Sequence, residues 1–294
     1  MWTSADGTSW HASAPASLVH ADVYDVISAN GLVIATGQDM TRGAAAAAWT
    51  SHDGISWTRS GNVGCSVMET VTSDGSGFVA FGNRAPSIPE SDVPSGVCEW
   101  LSADGLTWTQ VPLSSSVFPA TTAVASVATT PGGLVAVGSA AGTTQSSGAI
   151  WRSTDGHAWT RLPAASGAAL ATLDLAVQGG PGNLVLGADS NGNASLTSST
   201  DGVTWTTTAA PGQGALDNGP SLAVGSAGFV FGGYAVNGSP SPGMVWLSAD
   251  GSTWTAAPPL PPDLSVLSVA APGRSVVVGA ATAAGNAAIV TLVQ

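Results

Sequence analysis

The chain has 294 residues, 44% of them hydrophobic and only 8% charged; it has no lysine, six arginines and eighteen acids, for a formal charge of −12. That apolar content is too high for disorder, and the acidity argues against nucleic acid and anionic membrane surfaces, which need clustered cations. No apolar run approaches the roughly 18 residues of a membrane span, and a secretory leader is absent. Because Met1 abuts Trp2 inside a repeated unit, that absence says little about localisation.

In chain order, one cassette recurs six times: Trp2 to Trp10 (WTSADGTSW), Trp49 to Trp57 (WTSHDGISW), Trp100 to Trp108 (WLSADGLTW), Trp151 to Trp159 (WRSTDGHAW), Thr197 to Trp205 (TSSTDGVTW) and Trp246 to Trp254 (WLSADGSTW). All eleven tryptophans fall inside it. The cassette serines Ser4, Ser51, Ser102, Ser153, Ser199 and Ser248 are separated by 47, 51, 51, 46 and 49 residues, and joining the chain ends would give a sixth gap of 50. Periods of about 40 to 50 residues belong to propellers and solenoids. An open solenoid needs capping repeats of different composition, so a count that closes favours a ring: one domain over residues 1–294.

Each repeat divides into four short strands. In the third these are Thr122 to Thr129, Leu134 to Val137 ended by Gly138, Ala149 to Arg152, and Trp159 to Leu162. The second-strand signature recurs along the chain as VIATG (33–37), FVAFG (78–82), LVAVG (134–138), NLVLG (183–187), FVFGG (229–233) and SVVVG (275–279). Such runs bounded by glycine and proline read as buried strands, with no useful helical periodicity between them. Residues 264–294 supply three strands of a last repeat and residues 8–13 a fourth, which closes the ring and removes free edges. Ala288 to Leu292 and Met1 to Ser4 compete for its third-strand position.

The cassette core Ser-x-Asp-Gly-x-x-Trp has a mechanical reading. Asp-Gly is a strong hairpin signal because glycine accepts positive φ, Ser and Asp oxygens bond turn backbone, and the closing tryptophan packs between sheets. This resembles the Asp-box, or BNR, repeat of sialidase-like β-propellers, one residue shorter because Asp and Gly are adjacent. The expected fold is therefore an all-β, six-bladed β-propeller with four antiparallel strands per blade. In this reading Ser4, Asp6 and Trp10, Ser51, Asp53 and Trp57, Ser102, Asp104 and Trp108, Ser153, Asp155 and Trp159, Ser199, Asp201 and Trp205, and Ser248, Asp250 and Trp254 are structural.

Cys65 precedes a first strand and Cys98 begins a third, which places both at one end of a meander. A disulfide there would pin the loop from Asn83 to Val97 and imply an oxidising, extracellular compartment; two buried thiols are the alternative. The resemblance places a ligand funnel on the face opposite the Asp-box turns. Projected onto this chain, the funnel carries Tyr24, Asp25, Glu69 and Asp174 as candidate catalytic groups, with Arg42 and Arg84 as ligand-binding groups on flanking loops. Two suitably spaced carboxylates hydrolyse glycosides, and arginines fork onto carboxylates.

The arginine triad and Arg-Ile-Pro motif of sialidases have no counterpart, and Arg59, Arg152, Arg161 and Arg274 are poorly placed for a funnel. The scattered His11, His20, His52 and His157 do not suggest zinc, no phosphate loop is present, and Asp22-Val23-Tyr24-Asp25 lacks calcium-loop spacing. No metal or cofactor is expected. Asn193-Ala194-Ser195 and Asn237-Gly238-Ser239 are formal glycosylation sequons. The favoured function is a monomeric, non-catalytic binding or scaffolding propeller for carbohydrate or protein. A sialidase-like glycoside hydrolase is the alternative, and an engineered or excised propeller a further one.

Overall fold

The computed structural model describes residues 2–4, 9–61, 63–84, 96–130, 132–141, 146–163, 170–179, 182–189, 194–211, 221–226, 228–234, 243–271, 275–282 and 284–293. The chain divides into two compact units, Met1–Pro163 and Ala164–Gln294. Each is a succession of antiparallel meanders. No α-helix occurs among the described residues; one 3-10 turn spans Ala16–Leu18.

The first unit opens with a two-stranded hairpin, β1 (Trp2–Thr3) and β2 (His11–Ala12). Three four-stranded sheets follow, each with its strands in sequence order. They are β3 (Ala21–Ala29), β4 (Leu32–Asp39), β5 (Ala45–Ser51) and β6 (Thr58–Arg59); β7 (Thr70–Ser73), β8 (Phe78–Arg84), β9 (Gly96–Ser102) and β10 (Thr109–Val111); and β11 (Ala123–Thr130), β12 (Gly133–Ala141), β13 (Ser146–Ser153) and β14 (Trp159–Arg161). In this last sheet the second and third strands run past the expected Val137 and begin before the expected Ala149.

The second unit holds two more four-stranded meanders and a three-stranded one. These are β15 (Leu170–Gly179), β16 (Gly182–Asp189), β17 (Ala194–Ser199) and β18 (Thr206–Ala209); β19 (Ser221–Gly225), β20 (Gly228–Tyr234), β21 (Gly243–Ser248) and β22 (Thr255–Ala256); and β23 (Leu264–Ala270), β24 (Ser275–Thr282) and β25 (Ala287–Val293). The two segments expected to compete for one strand position do not do so. β25 pairs with β24 from Ala281↔Ala287 to Ser275↔Val293, which fills the third-strand position, while Trp2–Thr3 pairs with His11–Ala12.

Four first strands carry bulges: the register skips Tyr24 on β3, Ala125 on β11, Ala171 and Asp174 on β15, and Leu267 on β23. Three of the glycines that end the second-strand signature sit where no side chain fits. A Cβ on Gly37 would strike the carbonyl of Asp22, one on Gly82 that of Val67, and one on Gly138 that of Ala123. At these points the first strand or the segment leading into it comes closer than any side chain permits.

Buried tryptophans fill the space between sheets. Trp49, Trp100 and Trp151 are inaccessible to solvent or nearly so. Their indole N–H groups donate to Ser17 O (2.9 Å), Val63 O (2.8 Å) and Val117 O (3.1 Å), in the connector that precedes each one's own sheet. Around Trp100 pack Ile34, Ala48, Met68, Val71 and Phe78 from two neighbouring sheets. In the second unit Phe231 stacks on Trp246 with ring centroids 5.2 Å apart.

Candidate functional site

The cassette turns satisfy themselves. Ser51 Oγ accepts the Gly54 N–H (2.8 Å) and donates to Asp53 Oδ1 (3.0 Å), which in turn accepts the N–H groups of Ile55 and Ser56, both at 2.8 Å. The same pattern recurs at Ser102 and Asp104, Ser153 and Asp155, Ser199 and Asp201, and Ser248 and Asp250. Only the glycine takes positive φ, +69° to +75° in these turns. The two-residue hairpin with both residues at positive φ is instead Asn30-Gly31, between β3 and β4. Backbone N–H donors from Ser56 and Ile55, then the Ser51 hydroxyl, hold the Asp53 carboxyl down at about 2, and Asp104, Asp155, Asp201 and Asp250 are lowered for like reasons. Asp6 lies outside the described residues.

Two cavities lie at cassette ends. One of 770 Å³ is lined by Phe229, Leu247, Ser248, Asp250, Val276 and Leu292, and one of 540 Å³ by the matching Phe78, Leu101, Ser102 and Asp104, together with Asp155 and His157. The aspartates in both are already committed to their turns.

The opposite end of the first unit's sheets is built differently. Val33↔Ser51 marks the cassette end of the first sheet and Ala21↔Asp39 the other, so Asp22 and Gln38 stand at the far end. The Gln38 amide nitrogen donates to Asp22 Oδ2 (3.0 Å) and Tyr24 Oη (3.3 Å). The bulge turns Tyr24 outward, leaving it 56% exposed. Arg42 stands exposed in the loop after β4, where Asp39 pairs with Arg59 (2.7 Å) and accepts the Thr41 N–H (2.8 Å).

Asp25 is committed elsewhere. Its Oδ1 accepts the Val26 N–H (2.8 Å) and its Oδ2 the Val71 N–H of the next sheet (2.9 Å), with the Thr70 hydroxyl also bonded to it. Burial nonetheless raises its pKa above the usual carboxylate value, against those bonds. Thr70 Oγ1 accepts the Val127 N–H (3.3 Å) one sheet further on, and in the second unit Ser221 Oγ accepts the Val269 N–H (2.9 Å). Asp25 thus belongs to a recurring clasp in which a first-strand side-chain oxygen holds the next first strand. This use was hidden in the sequence because the bonded partner is 46 residues away.

Glu69 adjoins this clasp but faces Asn83, whose amide donates to Glu69 Oε2 at 2.6 Å. Burial raises its pKa, against the Asn83 bond. Sequence and register therefore bring Asp25 and Glu69 onto neighbouring strands, each with its own partners. Asp22 and Asp25 also diverge, and the described residues contain no group of three metal-ligating side chains. Asp174 is one of the two residues skipped on β15, in the second unit; its side chain lies outside what is described. Cys65 and Cys98 form a disulfide at the Arg84 end of β8, with Arg84 Nη2 3.7 Å from Cys65 Sγ. Most of the loop it was expected to pin, 85–95, lies outside the described residues.

One buried acid breaks the repeat. The trailing tryptophans Trp57, Trp108 and Trp254 donate to the glycine carbonyl of their own turns, but Trp159 donates to Glu99 Oε1 (2.9 Å) on β9. Glu99 is fully buried, and its Oε2 has no hydrogen-bond partner among the described residues. Burial first, with a nearby Asp155 charge, lifts its pKa to about 8 despite the Trp159 bond, so it is largely protonated at neutral pH. The signal was available: the matching residues before the other cassettes are Ala48, Ile150, Leu196 and Val245.

By sequence, the chain matches no protein-family model and no curated protein. By structure it is similar to Trypanosoma rangeli sialidase, at a TM-score of 0.59 and 12% identity over 92% of this chain and 54% of that one. It is also similar to the Aleuria aurantia lectin bound to a methyl fucoside, at a TM-score of 0.57 and 13% identity over 94% and 93%. A further structure of that lectin, described as a six-bladed β-propeller, aligns at 0.56 and 13% identity over 90% and 89%. The chain spans about half the length of the sialidase chains. These likenesses give the class: an all-β propeller fold. Among the described residues no helix is long and apolar enough to cross a membrane.

Proposed function

We propose that the chain is a secreted, six-bladed propeller of Asp-box type that binds carbohydrate without catalysis on the face opposite the cassette turns. In this reading residues 1–294 form one domain. Six cassettes whose count closes on itself support the blade number, as does the likeness to a six-bladed lectin. The Cys65–Cys98 disulfide supports an oxidising compartment. The saccharide chemistry of both kinds of structural neighbour supports the ligand class.

One observation carries the choice of binding over hydrolysis: Asp25 spends both carboxylate oxygens on backbone N–H groups. A glycosidase needs two carboxyls that flank one bond, about 5 to 9.5 Å apart, whereas Asp25 is turned into the clasp between β3 and β7. The experiment pairs a glycan-binding panel with turnover of aryl glycosides by the same preparation. We expect retention on glycans and no turnover. Turnover that is lost in Glu69→Gln would instead establish the hydrolase.

A further inference from the structure

We infer that Asp22, Tyr24 and Gln38 form a preorganised subsite for a neutral saccharide, an assignment that rests on the carbohydrate-binding reading and gives it residues. Gln38 uses its amide nitrogen on Asp22 Oδ2 and Tyr24 Oη, so Tyr24 accepts there and keeps its own proton to donate. Among the described residues the oxygen of the Gln38 amide and the second oxygen of Asp22 stay available as acceptors. A ring, a hydroxyl donor and two acceptors are thus offered together at one end of one sheet.

Neighbouring sugar hydroxyls each present a donor and an acceptor, and the pyranose C–H face packs against an aromatic ring. The site matches both needs. The pinned amide also lowers the side-chain ordering cost of binding. Tyr24 is exposed because the β-bulge lifts it out of the ladder opposite Gly37, a position that tolerates no side chain. At the bulges of β11 and β23 the skipped residues are Ala125 and Leu267, which bear no polar group. The frame is therefore repeated, and apart from Asp174 on β15, whose side chain lies outside what is described, Tyr24 alone of the residues skipped at such bulges brings a polar group.

Charge selects the class of sugar. Asp22, Tyr24 and Gln38 include a carboxylate and no cation, Arg59 is paired with Asp39, the exposed Arg42 after β4 bonds none of the three among the described residues, and the chain carries −12 overall, so a sialylated or sulfated glycan would meet net repulsion. A neutral hexose or deoxyhexose would not.

The test uses the full chain on immobilised oligosaccharides ending in fucose, galactose, mannose or N-acetylglucosamine, with sialylated counterparts. Binding to at least one neutral probe is expected. Tyr24→Ala should weaken it about tenfold or more, the scale of losing a packed ring and its hydrogen bond. Tyr24→Phe and Gln38→Ala should each weaken it severalfold, whereas Ile55→Ser, on an exposed cassette turn at the other end, should leave it unchanged. Thermal melting of each variant separates a lost contact from a lost fold. Neutral-glycan binding that survives Tyr24→Ala overturns the subsite and leaves the carbohydrate reading standing. Preference for sialylated probes overturns the charge argument and with it the neutral-sugar assignment. Absence of any saccharide binding removes both the subsite and the broader reading.

Discussion

At the cassette end of the first sheet, Ser51 and Asp53 turn their hydrogen bonds inward onto their own loop. At the other end, Gln38 pins Asp22 and Tyr24 yet leaves acceptors and an aromatic face toward solvent. The first arrangement recurs along the chain with the same geometry, while the second occurs once among the described residues. Repetition here marks polar groups whose bonding capacity is spent on the fold, and function is to be sought among side chains that depart from the repeat and keep capacity in reserve.

The largest effect should come from the frame that both ends share. Trp100 is fully buried between two sheets and donates to Val63 O, so Trp100→Ala should cost about 3–5 kcal/mol. Urea denaturation measures this, and a loss under 1 kcal/mol would mean that the intersheet tryptophans are dispensable.

Glu99 should give the next largest effect and sharpens the comparison from within the repeated scaffold. Its folded pKa of about 8 lies above the ordinary value of 4.5. The folded state therefore binds the proton more tightly, and the stability from neutral Glu99 is complete below about 4.5 and lost as pH rises through 8. The wild type should lose on the order of a few kcal/mol relative to Glu99→Gln between those limits, with the curves running parallel beyond them. Melting temperatures of both proteins across that range test this, and parallel curves throughout would show that Glu99 ionises freely in the fold.

Smaller in effect, but decisive for role, is Asp25→Ala. It leaves the Val71 N–H without its acceptor and should cost about 1–3 kcal/mol. Glycan affinity measured well below the melting temperature should stay the same. A variant of unchanged stability that no longer binds glycan would move Asp25 from the clasp to the ligand.

Much of the architecture was legible in the sequence because it is written in local, repeated chemistry. Asp-Gly turns, β-branched runs and the placement of Cys65 and Cys98 at one end of a meander each need only a few neighbouring residues to be read. The bulge at Tyr24 was not legible, since it arises from two strands meeting at Gly37. Nor was the bond from Val71 to Asp25, or the network through Gln38, because each joins residues that only folding brings together. Glu99 is a different case: comparing the residue before each cassette exposes it, since aligned repeats show exceptions as plainly as rules.

The leading tryptophans carry one more consequence. Trp49, Trp100 and Trp151 each latch the connector that delivers their own sheet, so the joint between consecutive modules is secured from inside the later module. Spacing between cassettes can then drift, as the gaps of 47, 51 and 51 residues that lead to these three tryptophans do, without loosening the joint. Loops at the far end are free to lengthen, shorten or acquire new side chains on an unchanged chassis. Such a chain is suited to diversifying its recognition surface one module at a time.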